Sequence, residues 1–428
     1  MSRFAKFVVA IAVVAMAIPA FAAVENVKVG ADLELNMIYR DNFDFDVLGM
    51  DATNFTYIGT RVYMSADLTD NVTAMVRLIN ERDFGNDYLR EVTGSLLVDL
   101  AYVKLGDIMT PGLDLTLGRQ EIQIGEGLVV GSRYRALDYV LADVGTLAID
   151  LGKQKAFDAI KVDYVFPMSD LSMTAFKAKI LETYGFAGLG LPVGDLDLYG
   201  LAVKYDNSML CLEPYFVYLR MDDTTEIDLM TLGARAGFAP MDNLKLKLEL
   251  AKQLGDTNLM GGVDFEGWAG ILGGSLTLGG EAEPTITASY SYFSGRDSAD
   301  IDAWIPVFPS NVSSRVGKIA YPTLFQAGEG VGALGLTGLQ VINVGFGIKP
   351  VEKIALGIDL FNLRALETTG ADKGIGNEID LSMKYMYTED VCFGVNLGML
   401  LVGDTIDDTY GVDAENPWQA IVSMNVAF

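Results

Sequence analysis

Histidine is absent from all 428 residues. The chain therefore has no imidazole base for Ser-His-Asp or Cys-His catalysis and no His-containing zinc site. The residues left that can act on a ligand are charged ones at fixed spacings. Arg119 and Glu126 bracket a glycine-bearing stretch, and Arg133 and Arg135 follow it. Glu378 and Asp380 stand two positions apart, and Asp404, Asp407 and Asp408 crowd one short segment. None of these spacings is a catalytic signature, so no enzyme is expected. Fixed charges of this kind hold water and orient charged solutes in a narrow passage. The Asp404, Asp407 and Asp408 oxygens suit a hard divalent cation, but they lack the spacing of an EF-hand loop. The expectation is a solvated acidic loop bridged to lipopolysaccharide by divalent ions, with a structural Ca²⁺ site as the alternative and no other cofactor.

The elements that must carry these charges are strands. Apolar and polar residues alternate along the chain with period two, the signal of a strand whose two faces meet different surroundings. Trp418, Ala420, Val422, Met424, Val426 and Phe428 share one face, against Gln419, Ser423 and Asn425 on the other, with Ile421 the exception. Leu244, Leu246, Leu248 and Leu250 alternate with Lys245, Lys247 and Glu249. Half the residues are hydrophobic and the mean hydropathy is +0.29, although the chain holds 57 acids. Apolar residues facing lipid at alternate positions, with polar ones facing a wet interior, reconcile these numbers.

The first residues set the compartment. Arg3 and Lys6 precede an apolar run from Phe7 to Ile18, and Ala20-Phe21-Ala22 forms a small-x-small cleavage pattern. Residues 1–22 are read as a removable signal peptide, because the run is too short to span a bilayer. Residues 23–428 then form the mature barrel, in the outer membrane of a diderm bacterium. Without Arg3 and Lys6 the chain carries 29 basic and 57 acidic residues, a net charge of −28 that excludes nonspecific nucleic-acid binding. Cys211 and Cys392 fall on distant strands and are read as unpaired.

Short turns and longer connections alternate strictly. Turns are expected at 69–71, 106–112, 167–170, 206–208, 239–243, 279–284, 349–353 and 387–390. Longer loops are expected at 40–52, 83–94, 123–155, 183–194, 221–226, 255–263, 296–336, 366–375 and 403–416. Bacterial barrels have short periplasmic turns and long outside loops. The count gives an all-β protein: a transmembrane, antiparallel, up-and-down barrel of eighteen strands. Placing charged strand residues on the inward face puts Arg61, Arg77, Lys161, Lys177, Lys179, Arg235, Lys245, Lys247, Glu213, Glu249, Glu378 and Asp380 in the lumen. Loop 123–155, entered by Arg119, Glu126, Arg133 and Arg135, narrows the pore if it folds inward. Loop 296–336 is too apolar for water around Trp304–Pro309 and Tyr321–Phe325, so it is expected to fold over or into the mouth.

Thr116-Leu117-Gly118-Arg119-Gln120-Glu121 followed by Gly125-Glu126-Gly127-Leu128 resembles the Gly-Arg-Gln … Gly-x-Gly segment of the alginate-export-type porins. Phe157-Asp158 is similar to that family's next element, Gly376 to Leu381 to its Gly-x-Glu-x-Asp strand, and Gly403-Asp404 to its late Gly-Asp pair. The resemblance implies an eighteen-stranded barrel with a constricted, charged pore; members carry a basic lumen through which acidic polysaccharide leaves the cell. The residues and the resemblance together leave three readings: passive diffusion of small hydrophilic solutes, export of an anionic polysaccharide, and a plugged structural or adhesive barrel. Outer-membrane lipid, lipopolysaccharide and the barrel assembly machinery, which reads an aromatic C-terminus such as Phe428, are the expected partners.

Overall fold

The computed structural model describes residues 25–45, 52–85, 96–132, 149–181, 195–222, 226–258, 262–295, 301–325, 338–366, 373–410 and 414–428. Eighteen long strands follow the alternating segments: β1 Glu25–Asp41, β2 Thr53–Thr69, β3 Val72–Asp83, β4 Leu97–Leu105, β5 Leu113–Gln120, β6 Phe157–Val165, β7 Leu171–Leu181, β8 Asp195–Asp206 and β9 Leu210–Asp222. The second half comprises β10 Ile227–Met241, β11 Leu244–Thr257, β12 Trp268–Thr277, β13 Thr285–Phe293, β14 Leu339–Val351, β15 Ile354–Ala365, β16 Gly374–Met386, β17 Val391–Val402 and β18 Trp418–Ala427. A two-residue extension, Val263–Asp264, pairs with the end of β11.

Each strand pairs antiparallel with the next, and β18 returns to β1 along a register running from Asp32↔Ala427 to Asp41↔Trp418. The sheet is therefore closed, and no edge is left to meet hydrocarbon with unpaired N–H and C=O groups. Phe428 extends this seam: its amide donates to the Ala31 carbonyl at 3.0 Å and its carbonyl accepts from the Ala31 amide at 2.8 Å. All eight expected turns join consecutive strands at the short-turn end, which is the periplasmic end by the turn-length rule.

The outer surface is apolar over most of the circumference. Leu232, Leu250, Leu272, Ile342, Leu360 and Val422 are all exposed there. Paired aromatics sit on the same face, Tyr39 tilted against Trp418 and Trp268 stacked on Tyr292, as amphipathic rings do at a membrane interface.

Two long connections enter the barrel. Residues 121–132 continue from β5 into the lumen, and residues 301–325 descend between β13 and β14. The two are tied together: Val130 and Phe308 form a parallel bridge, the Phe308 amide donates to the Val129 carbonyl at 2.8 Å, and the Ser310 amide donates to the Gly127 carbonyl at 2.9 Å. Ile124, Leu128, Val129, Trp304, Phe308, Val316, Ile319 and Leu324 are buried against Phe157, Phe176, Leu198, Tyr215 and Val217 of the wall. Phe308 meets Phe157 edge-on, with centroids 5.7 Å apart. The long-loop half of the lumen thus holds an apolar core.

That core inverts the alternation on β7 and β8. Phe176, Ala178 and Ile180, like Leu196 and Leu198, point inward and are buried, so Lys177 and Lys179 point outward, contrary to the expectation that strand charges face the lumen. Period two fixes which residues share a face, but not which face is wet. The expected connection 403–416 lies between β17 and β18 and carries a short helix, Asp404–Tyr410.

Candidate functional site

The segment 121–132 turns sharply at Gly125-Glu126-Gly127, with φ of +59° at Gly125 and +75° at Gly127. Side chains rarely adopt such angles, and a Cβ at Gly127 would lie 2.1 Å from Ser310 Oγ. The turn presents its backbone to the wall: the Gly125 amide donates to Glu213 at 3.0 Å and the Glu126 amide to Glu249 at 2.9 Å. Tyr215 donates its hydroxyl to Glu249 at 2.9 Å. Two inward carboxylates therefore hold the tip of the segment by its amides. The spacing Gly-x-Gly is what lets one residue, Glu126, project freely from it.

Glu126 reaches across to the cationic wall. Its carboxylate lies 2.6 Å from Arg235 on β10 and 3.5 Å from Lys247 on β11. Burial would raise the Glu126 carboxyl, but the nearby Arg235 and Lys247 charges outweigh it and hold the group below its ordinary value. Arg315, from the other inserted segment, donates its guanidinium to the Gly127 carbonyl at 3.3 Å and to the Glu126 carbonyl. Both insertions meet at this one acidic residue.

Open space borders it on two sides. A cavity of about 560 Å³ is lined by Glu126, Arg235, Lys245, Lys247, Ser289 and Asp359, among others. A second, of about 350 Å³, is lined by Gln123, Glu126, Thr174, Lys204, Glu213 and Arg235. Lys245 is exposed and makes no ion pair among the described residues. The arrangement is a mixed-charge collar, with cations on one wall and Glu126 standing among them.

Of the residues expected to line the pore, Glu126, Arg235, Lys245 and Lys247 come together here. Lys161, on the inward face of β6, pairs with Asp163 at 3.0 Å, and Arg61 pairs with Asp32 at 2.9 Å. Arg77 holds Asp99 and Glu121, each at 2.5 Å, at the neck of the first insertion. Glu378 and Asp380 are buried under the second insertion, where Glu378 accepts the Ile319 and Ala320 amides at 2.8 Å each. Glu378 anchors that segment, Asp380 lies 4.0 Å from its Lys318, and neither faces the open space. Arg119 corrects its expected place. It shares the outward face with exposed Leu117 and Ile160, while Gln120 and Phe157 turn inward and are buried, and it pairs with Asp158 at 2.9 Å outside the barrel. Arg133 and Arg135 lie outside the described residues. Asp404 begins the short helix, Asp407 accepts the Ala414 amide at 2.8 Å, and no three carboxylates converge as metal ligands among the described residues.

Sequence reasoning did not single out Arg315, Arg40 or Asp150. Arg40 is buried and held by both Asp150 oxygens at 2.9 Å, with Phe43 at 4.8 Å from its guanidinium, which pins the returning part of loop 123–155 inside β1. Losing either partner of such a buried pair costs about 3–5 kcal/mol. Arg40 falls in the expected loop 40–52, whereas β1 runs on to Asp41; Asp150 and Arg315 also sit in connections, where no period reports a face.

The sequence profile of the alginate export family matches residues 25–419, nearly the whole chain. The chain belongs to the alginate export family. Its Gly-x-Gly motif is therefore the turn at Glu126, and its Gly-x-Glu-x-Asp strand is the anchor of the second insertion. A search of curated proteins finds no match. Among solved structures, the family member shares its barrel with OccK11 (OpdR) of Pseudomonas aeruginosa, at 11% identity and a TM-score of 0.59, covering 94% of this chain and 96% of that one. OccAB1 of Acinetobacter baumannii is similar at 12% identity and a TM-score of 0.60, covering 95% and 98%. At these identities the likeness carries the fold.

Proposed function

We propose that this alginate export family member works as a passive channel for small hydrophilic solutes, with its narrowest part at the Glu126 collar. The observation that carries the reading is the contact of Glu126, on an inserted segment, with Arg235 and Lys247 on the wall beside open cavities. A solute passing there meets cations and a carboxylate within a few ångströms, where fixed charges are least screened. Export of an anionic polysaccharide is the second reading, favoured by the family match itself. In either case the chain reaches the outer membrane after removal of residues 1–22, inserts through the assembly machinery, and contacts lipopolysaccharide with its acidic loops. Liposomes containing the mature protein should swell in isosmotic solutions of small sugars and amino acids, at rates that fall steeply with solute size. Swelling no faster than in protein-free liposomes would remove the diffusion reading, and passage of acidic oligosaccharides but not small sugars would favour export.

A further inference from the structure

The larger cavity beside Glu126 has a floor that the collar's ion pairs leave unused. Lys245 on β11, Ser275 on β12, Thr287 on β13, Gly345 on β14 and Asp359 on β15 form one row of directly cross-paired residues. The row beside it runs through Lys247, Gly273, Ser289 and Asn343 on β11 to β14. Leu272, Ile286, Ile342 and Leu360 take the alternate positions on the exposed outer surface, which puts both rows on the lumen side. Lys245 and Asp359 line the same cavity of about 560 Å³ from its two ends. Among the described residues neither makes an ion pair or a side-chain hydrogen bond, and the hydroxyls of Ser275, Thr287 and Ser289 between them have no partner either.

Two glycines set the direction of the charged side chains. A Cβ at Gly345 would lie 2.4 Å from both Asp359 Oδ1 and Thr287 Oγ1, so the Asp359 carboxylate lies across β14 toward Thr287. A Cβ at Gly273 would lie 3.4 Å from Lys247 Cε and 3.1 Å from Ser289 Cβ, so Lys247 lies across β12 from the other side. Cation and carboxylate thus lean toward each other over β13. Their heads stand above strands two steps apart, ~10 Å at the spacing of neighbouring strands. Lys245 adds a second cation at one end, and Thr287 and Ser289 form the floor between.

We infer that this trough binds small zwitterions, of the size of a free amino acid or a dipeptide, with the carboxylate at Lys245 and Lys247 and the ammonium at Asp359. The inference rests on the diffusion reading above and names its solute class. A simple anion gains the two lysines but meets Asp359 and Glu126 as like charges. A neutral sugar uses the hydroxyls and leaves both charged ends in water. Only a solute with both signs engages both ends, through charge-assisted hydrogen bonds that are roughly twice as strong as neutral ones. The hydroxyls of the floor both donate and accept, which matches the N–H and C=O of a peptide bond lying between the ends.

The test compares swelling of liposomes holding the mature protein in isosmotic glycylglycine and in an uncharged pentose of similar size. Neither solute carries net charge, so the two rates differ only by recognition and shape. In wild type the dipeptide should enter about threefold faster or more. Asp359→Asn and Lys245→Gln should each bring the dipeptide-to-pentose ratio down toward one, with folding checked by heat-modifiable gel migration. On wild type in planar bilayers, millimolar glycylglycine should interrupt the current, and N-acetylglycine, which keeps the carboxylate but lacks the ammonium, should interrupt it less. Pentose entry with no preference for the dipeptide would overturn the inference and leave the diffusion reading standing. A dipeptide rate raised by Asp359→Asn, or N-acetylglycine interrupting the current as well as glycylglycine, would overturn it in favour of a plain anion site. Swelling in neither solute would overturn the diffusion reading and this inference with it.

Discussion

Glu126→Lys should turn the channel strongly toward anions. Glu126 is the acid between Arg235 and Lys247, and its replacement adds a third cation in the same few ångströms. An ion passing ~6 Å from a unit charge in a water-like dielectric feels ~0.7 kcal/mol. Removing one charge and adding its opposite shifts an anion and a cation by ~1.4 kcal/mol each in opposite senses, which changes the anion-to-cation permeability ratio by up to roughly a hundredfold. The insertion should stay in place, because its tip is held by the Gly125 and Glu126 amides on Glu213 and Glu249 rather than by this side chain. Arg235→Glu should move the reversal potential the other way, while Asp407→Asn with Asp408→Asn on the outside helix should leave it nearly still. The wild-type value should also hold as pH falls from neutrality. The Glu126 carboxyl is depressed below its ordinary 4.5, so its charge, and the contacts that depend on it, are lost only as pH falls through that lowered value.

Excising residues 303–324 in favour of a short Gly-Ser linker should raise single-channel conductance severalfold. The segment carries Trp304, Phe308, Val312, Val316, Ile319 and Leu324 into the lumen, all buried. Its removal also frees Glu126 and Gly127 from Arg315. Selectivity should weaken in the same recordings, because salt screens fixed charges within ~8–10 Å once the passage widens. The cost is stability. Each large apolar side chain taken from burial forfeits ~1.5–3 kcal/mol, so the excised barrel should lose its folded gel form at a lower temperature. An unchanged conductance would show that this segment does not narrow the path.

The barrel was legible because lipid imposes period two and turn length sorts the two ends; strand number, closure and every short turn follow from those patterns. The lumen was less legible. On β10 and β11, where the interior is wet, charge and inward face coincide, and Arg235, Lys245 and Lys247 fall where alternation puts them. On β5, β7 and β8 protein fills the interior, so Phe176 and Leu198 took the inward rows and Arg119, Lys177 and Lys179 the outer ones. The cue lay in the apolar stretch 304–309: a loop that avoids water needs an apolar wall to pack on, and that wall reverses the pattern of the strands it covers. Glu378 and Asp380 show the same effect in another form: their inward placement is right, but Glu378 accepts the amides of a backbone segment rather than meeting solute, and Asp380 is buried beneath that segment, 4.0 Å from Lys318.

The most direct test of an open, charged collar is single-channel recording of the mature wild-type protein in planar bilayers, with a salt gradient to read selectivity. Discrete, uniform conductance steps with a reversal potential displaced from zero are the expected result. Insertion of folded barrels that carry no current above the bare bilayer would contradict it, and would mean that residues 121–132 and 301–325 seal the lumen.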